Sequence, residues 1–292
     1  MTGRPFVQKI DPKLAPRLIK DLEEKGFEIT KPDHTLFAAK KKGVSCTLYT
    51  SGKLVVQGKE KEELIEFYLE PDILGSFDYS HPDLTPRIGS DEAGKGDFFG
   101  PLCIASLFAD EERIKKLKAA GVADSKGFRD EKILKLAKEI EKTCPHQIVV
   151  INPQKYNELY SKFRNLNNML AWAHATAIDT LVEETGCKRV TVDQFAYGHV
   201  LERAVKQKKN AIELTQRHRG EEDIVVAAAS ILARRAFLNG LDSLRKKYGV
   251  EFPKGASEGV VAKGKEFVRK YGDRLNEVGK LHFKTTERVL GG

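Results

Sequence analysis

Cysteine is scarce. The 292-residue chain has four, Cys46, Cys103, Cys144 and Cys187, too scattered to form a paired spacing. That argues against a disulfide framework and a structural zinc site, and it suits reduced thiols in a cytoplasmic protein. Long apolar runs are missing too. None approaches the ~20 residues of a membrane span, and residues 1–17 lack the apolar core of a secretion signal. Acid is in deficit: 50 Lys and Arg oppose 42 Asp and Glu, a net charge of +8 at pH 7. Such an excess suits a polyanionic partner without identifying one.

What is present falls into two stretches, and the length allows two cores. Residues 74–87, LGSFDYSHPDLTPR, hold Gly75, Pro82 and Pro86 among small polar residues and keep no period. A linker is therefore expected at 76–86, between domains at 1–75 and 87–292. Before it, Leu14, Leu18, Ile19 and Leu22 form an apolar stripe that predicts a helix over 13–25, stopped at Gly26. Alternation predicts strands over 36–40, 45–49 and 54–57, and 60–69 returns to helix. Beyond the linker, strands are expected at 87–90, 102–108, 147–151, 189–192 and 211–214. Helices are expected at 130–142, 153–184, 198–208, 221–247 and 259–275. That alternation predicts an α/β layer fold with a central sheet.

Three acidic sites draw interest. Asp91 and Glu92 end a short apolar strand and run into AGKGDFFGP. Carboxylates there are costly unless water, a cation or a metal meets them, and the glycines let backbone N–H groups approach a ligand. Asp193 ends the valine-bearing strand 189–192. Glu221 and Glu222 head an apolar helix. Each has an ordinary explanation: an acidic turn, a helix cap, or acids complementing a helix dipole. Brought together, the same hard oxygen donors could hold two Mg²⁺ or Mn²⁺ ions for phosphodiester hydrolysis. Spacing alone does not show that they converge.

Longer motifs bear on that choice. DEAGKGDFFGP (91–101), ADSKGFRD (123–130), VDQF (192–195), VAAASILAR (226–234) and LHFKTT (281–286) resemble, in this order, the type 2 ribonucleases H. The GKG form and FRNLNNMLAWAHA (163–175) point to the ribonuclease HIII branch. So does YTSGKLVVQGKEKEELIEF (49–67), which resembles a TATA-binding-protein half-repeat. The resemblance implies an α/β, ribonuclease H-like catalytic domain with a mixed central sheet flanked by helices. A small α+β, TATA-binding-protein-like domain that binds substrate would precede it. It further implies a two-metal endonuclease using Mg²⁺ or Mn²⁺ on the RNA strand of RNA–DNA hybrids, leaving 5′-phosphate and 3′-hydroxyl ends. A monomer with no membrane and no obligate protein partner is expected. Four carboxylates would hold the ions: Asp91, Glu92, Asp193 and one in a basic–small–acid step before the AAAS helix. Arg219-Gly220-Glu221 supplies that step, so Glu221 is preferred and Glu222 is the alternative.

Substrate contacts follow from the same resemblance. Gly94, Lys95 and Gly96 match the loop that reads ribose 2′-hydroxyls. Ser125 and Lys126 would meet phosphate, with Asp124 orienting their loop. From their residue type, Asn165 and Asn167 could hydrogen-bond the nucleic-acid backbone or minor groove. Lys40, Lys41, Lys42, Tyr49 and Lys53 would contact substrate from the first domain, although residues 1–75 hold 13 basic against 12 acidic side chains. For each lysine the bland account is a solvated charge. His174 reads as a satisfied buried histidine rather than a general base. Lys280, His282 and Lys284, around Phe283, read as surface charge before a basic strip. Two rivals stand. One is a ribonuclease HII-like enzyme acting at single ribonucleotides in DNA, which the GKG form and the first domain disfavour. The other is a non-catalytic nucleic-acid binder, which the clustered acids disfavour.

Overall fold

Val44, Cys46 and Leu48 face one way and Ser45, Thr47 and Tyr49 the other, the period-2 pattern of a strand with one buried face. Strands of this kind build the sheet of the first unit. The computed structural model describes residues 5–76, 79, 83–122, 127–195, 199–217 and 220–291, with Glu221 described by its backbone alone. Two compact units emerge, Met1–Asp83 and Leu84–Gly292.

The first unit runs β1 (Phe6–Lys9), α1 (Ala15–Glu24), β2 (Glu28–Thr30), β3 (Thr35–Lys41), β4 (Val44–Tyr49), β5 (Lys53–Gly58) and α2 (Lys61–Leu64). Its sheet has the order β1-β5-β4-β3-β2, antiparallel throughout. Leu18 and Leu22 of α1 pack on Phe37, Leu48, Leu54 and Val56 of the sheet, all fully buried. The expected helix at 60–69 is longer and wider. After α2 it continues as a π-helical stretch, Ile65–Leu74, containing Pro71 and ended by Gly75 at φ 64°. Proline there offers no N–H to the ordinary helical ladder. The edge strands β1 and β2, four and three residues long, are too short to carry a readable period.

The second unit runs β6 (Arg87–Ala93), β7 (Leu102–Ala109), α3 (Glu111–Ala120), α4 (Asp130–Thr143), β8 (His146–Ile151), α5 (Pro153–Phe163) and α6 (Leu166–Thr185). It continues with β9 (Arg189–Asp193), α7 (Val200–Lys206), β10 (Glu213–Arg217), α8 (Ile224–Tyr248), α9 (Glu258–Tyr271) and α10 (Thr285–Leu290). The sheet order is β10-β9-β6-β7-β8. Central β6 pairs antiparallel with β7 and parallel with β9, so the sheet is mixed. Helices α3, α4 and α8 bury one face, and α5, α6 and α7 the other. By length and composition alone α8 could cross a bilayer; here Val225, Ala228, Ile231 and Leu232 are fully buried in the core.

Helix α8 crosses β6 at Gly89, where a Cβ would lie 2.5 Å from the carbonyl carbon of Val225. No larger residue fits without pushing the helix off the sheet. The helix start is fixed again by Asp223, whose Oδ1 accepts from Val225 N at 2.8 Å while its Oδ2 accepts from Arg87 Nε at 2.8 Å.

Several expectations shift. The helix expected at 153–184 is two: Arg164 turns left-handed at φ 50°, and Asn165 caps α6 by accepting from Asn167 N and Asn168 N. Phe163, Leu166 and Leu170 keep helical spacing across this break, which hides it from a periodicity argument. Glu221 and Glu222 do not begin α8; they sit in a 3₁₀ turn, Gly220–Glu222, before it. The helix expected to reach 275 ends at Tyr271, and another 3₁₀ turn covers Arg274–Glu277. Helix α3, with Ile114 and Leu117 as its buried side chains, was too weakly patterned to be expected.

Candidate active site

Parallel pairing of β6 with β9 decides where the acids fall. Ile88 lies opposite Val190 and Ser90 opposite Val192, so Asp91 and Asp193, one residue further along, lie side by side toward the same end of the sheet, although β6 runs on past the expected 87–90 and stays paired with β7 to Ala93. The turn expected to carry the fourth acid is tied to Asp193. Gly220 N donates to Asp193 Oδ1 at 2.7 Å, and a Cβ on Gly220 would lie 2.7 Å from Asp193 Cα, so glycine is needed for this approach. Glu221 lies on that turn with its side chain outside the described residues. Glu222 is exposed. Asp223, the third acid of the run, is committed to capping α8 and to Arg87.

Asp91 is 8% exposed. Glu92 N donates to its Oδ1 at 2.8 Å, and the Ser230 hydroxyl of α8 bonds it as well. Both favour the carboxylate, yet its pKa is pushed up to about 8, first by burial and next by the charge of Glu92, with Asp193 adding in the same direction. A cleft of about 480 Å³ opens here, lined by Asp91, Glu92, Asp193, Ser230, residues 93–97, Arg234 and Lys254, among others.

Among the described residues, no three His, Cys, Asp or Glu side chains form a ready metal cluster. The donor chemistry nevertheless fits a hard divalent ion. Asp91, Glu92, Asp193 and Ser230 offer oxygen only, and the crowding that raises Asp91 is what a bound cation relieves. Serine chemistry fits less well. The G-x-S-x-G string at 255–259 follows no strand, and Ser257 is the residue before α9, not a strand-to-helix elbow.

Residues 88–286 match the family model described as Ribonuclease HII, and residues 5–76 match one described as Domain of unknown function (DUF3378). Ribonuclease HIII of Protochlamydia amoebophila is 56% identical over 292 residues, covering 98% of this chain and 97% of that protein. The chain belongs to the ribonuclease HIII family. It is a ribonuclease H enzyme. Ribonuclease HIII of Chlamydia muridarum is 50% identical, covering 98% of this chain and 97% of that protein. The crystal structure of Bst-RNase HIII in complex with Mn²⁺ superposes with a TM-score of 0.69 at 30% identity, covering 99% of this chain and 98% of that one. Aquifex aeolicus RNase H3 gives 0.58 at 28%, covering 96% and 100%. The mixed-sheet α/β unit and the smaller unit before it agree with the ribonuclease HIII fold.

Around the family's GKG-type loop, Lys95 is held between two partners. Its Nζ donates to Phe195 O at 3.1 Å and lies 3.7 Å from Glu92 Oε1. Arg234 Nη2 donates to Asp130 Oδ1 at 2.9 Å, and Lys254 Nζ to Asp130 Oδ2 at 2.6 Å, so one acid orients two further basic groups of the cleft. The loop itself is braced from far along the chain. Asp97 Oδ1 accepts from Gly255 N at 2.6 Å, Phe98 N donates to Gly255 O at 2.9 Å, and Gly100 N donates to Val278 O at 3.0 Å. Lys280 overturns its reading as surface charge. It is fully buried, its Nζ donates to Asp97 O at 2.8 Å, and burial brings its pKa down to about 7. His282 also turns inward, stacked on Tyr160 at 4.3 Å with its pKa lowered by burial to about 4; Lys284 is exposed.

The other expected contacts divide. Asp124, Ser125 and Lys126 lie outside the described residues. Asn165 spends its side-chain oxygen on capping α6, and neither it nor Asn167 lines the carboxylate cleft. On the first unit, Lys40, Tyr49 and Lys53 share the sheet face turned from the helices, in register with Ser45, Thr47 and Val55. Lys41 points to the opposite face, donating to Lys25 O at 2.9 Å over the Phe27 ring. Lys42 is exposed in the following turn. Sequence reasoning gave no role to Ser230, Ser90, Asp97, Arg234 or Lys254. Ser230 carried a signal: it is the one polar residue in IVVAAASILA, residues 224–233.

Proposed function

We propose that this chain cleaves the RNA strand of RNA–DNA hybrids endonucleolytically, with two Mg²⁺ or Mn²⁺ ions held by Asp91, Glu92, Asp193 and Glu221, leaving 5′-phosphate and 3′-hydroxyl ends. The observation that carries this reading is the shared cleft of Asp91, Glu92 and Asp193 at one end of β6 and β9, beside the glycine loop, in a ribonuclease HIII chain. Bound divalent ions supply Lewis acidity at the phosphate and lower the pKa of water. The chain supplies the rest. Ser230 and Glu92 N fix the Asp91 carboxylate, and Gly220 N fixes that of Asp193. Backbone N–H groups of Gly94 to Gly96 meet the ribose, the hydroxyl that separates RNA from DNA. Lys95, Arg234 and Lys254 add positive charge for phosphates. The first unit adds affinity through Lys40, Tyr49 and Lys53.

The test is cleavage of a labelled RNA–DNA hybrid with Mg²⁺, Mn²⁺ or chelator, beside a duplex holding one ribonucleotide. Metal-dependent cutting within the hybrid's RNA strand supports the proposal. Cutting only at the lone ribonucleotide would replace it with the ribonuclease HII-like activity, and no cutting with either ion would sink both.

A further inference from the structure

His174 is fully buried in the middle of α6, among Leu170, Ala171, Ala173 and Ala175, all buried. A polar ring in such surroundings is costly unless both nitrogens are satisfied. Its Nδ1 pairs with Ser90 Oγ at 2.8 Å, and Ser90 Oγ pairs with Ser106 Oγ at 2.7 Å. Its Nε2 reaches Glu92 Oε2 at 3.2 Å. A carboxylate oxygen accepts, so Nε2 carries the hydrogen. Phe195 stacks on the ring at 4.9 Å with 8° between the planes. The ring is therefore held at both nitrogens and across one face.

We infer that His174 is a positioning residue for the cleft carboxylate of Glu92, fixing through one hydrogen bond which of its oxygens is left to meet a divalent cation. The inference rests on the reading of Glu92 as a metal ligand. Glu92 has competing partners. Its Oε1 lies 3.7 Å from the Lys95 ammonium, itself anchored on Phe195 O. Attraction to Lys95 draws the carboxylate toward an ion pair that competes with a metal. Holding Oε2 with a rigid N–H keeps Oε1 at 3.7 Å from the ammonium, beyond a direct hydrogen bond, and leaves it for the cation. Partners of this kind behind a metal ligand typically change metal affinity by about 10–100-fold when removed.

Two substitutions separate positioning from simple packing. His174→Asn keeps a polar group near the Nδ1 position, facing Ser90, but falls short of Glu92. His174→Gln reaches the Nε2 position and restores the donor. Mn²⁺ affinity is measured without nucleic acid, from the EPR signal of free Mn²⁺, alongside melting temperature and kcat and KM for a hybrid. His174→Asn should weaken Mn²⁺ binding by about 10–100-fold with KM at saturating Mn²⁺ unchanged, and His174→Gln should bind Mn²⁺ close to wild type. Equal Mn²⁺ affinities in the two variants, whether wild-type or lowered in step with melting temperature, would overturn the inference. Should neither variant fold, Ser90→Ala frees the Nδ1 end of the ring, and undiminished Mn²⁺ affinity there overturns it instead. A wild-type protein that neither binds Mn²⁺ nor cleaves with it overturns the nuclease reading itself. A metal-dependent wild type with an indifferent Asn variant overturns this inference alone.

Discussion

As a proposed metal ligand, Asp91 would carry charge in a place that resists it. With its pKa pushed up to about 8 by burial and by Glu92, the neutral form is favoured in the folded, metal-free protein. Because the folded value lies above the ordinary carboxylate value of 3.8, the unfolded chain releases this proton first. The stability contributed by the neutral form is complete below pH 3.8 and is lost as pH rises through about 8. Asp91→Asn should therefore raise the melting temperature in chelator more at pH 8 than at pH 5, while abolishing cleavage. Asp193→Asn should likewise abolish cleavage. Thermal melts at the two pH values and a hybrid assay check this, and normal turnover in either variant would remove the acid from the site. Glu221→Gln should cost far more activity than Glu222→Gln, whose exposed side chain has solvent to face; the reverse order would move the fourth acid one residue on. The acids were readable because charge at the end of an apolar strand is conspicuous. Lys280 was not readable. Nothing in a lysine announces burial when its partner is a carbonyl 183 residues away.

Elements with strong periods were legible and their joints were not. The strands at 102–108, 147–151 and 189–192 lie within β7, β8 and β9, because all three are rich in apolar and β-branched residues. The break at Arg164 and the turn at Gly220–Glu222 depend on single residues, a left-handed backbone and a close approach, which carry no period. The joint between β6 and α8 is the more demanding. Arg87 and Asp223 are 3% and 8% exposed, an ion pair closing the start of the strand onto the cap of the helix. Arg87→Ala leaves the Asp223 charge buried and should destabilise the fold by about 3–5 kcal/mol, read from urea unfolding. Loss below 1 kcal/mol would mean that water takes the place of Arg87.

At the scale of the whole chain, the first unit sorts its basic side chains between the two faces of its sheet. Lys40, Tyr49 and Lys53 occupy the face turned from the helices, whereas Lys41 is tied to Lys25 O on the helix side. Replacing Lys40 and Lys53 by Ala should weaken hybrid binding and flatten its salt dependence, since each lost phosphate contact lowers the slope. Lys41→Ala should change melting temperature instead. A fragment beginning at Leu84 should keep turnover at saturating hybrid and lose affinity, because a second contact surface raises local substrate concentration without touching the chemistry. Binding isotherms over a salt series, with wild type alongside, check all three. Identical affinity and slope would give the first unit another role.

The bracing of the glycine loop also sets an order of events during synthesis. Asp91 and Glu92 leave the ribosome early, but the loop beside them takes its hydrogen bonds from Gly255, Val278 and Lys280. A nascent chain can thus lay down the sheet and its acids long before the glycine loop has anything to lean on. Throughout that interval the unfinished enzyme is surrounded by RNA, and the glycine side of the cleft is assembled last.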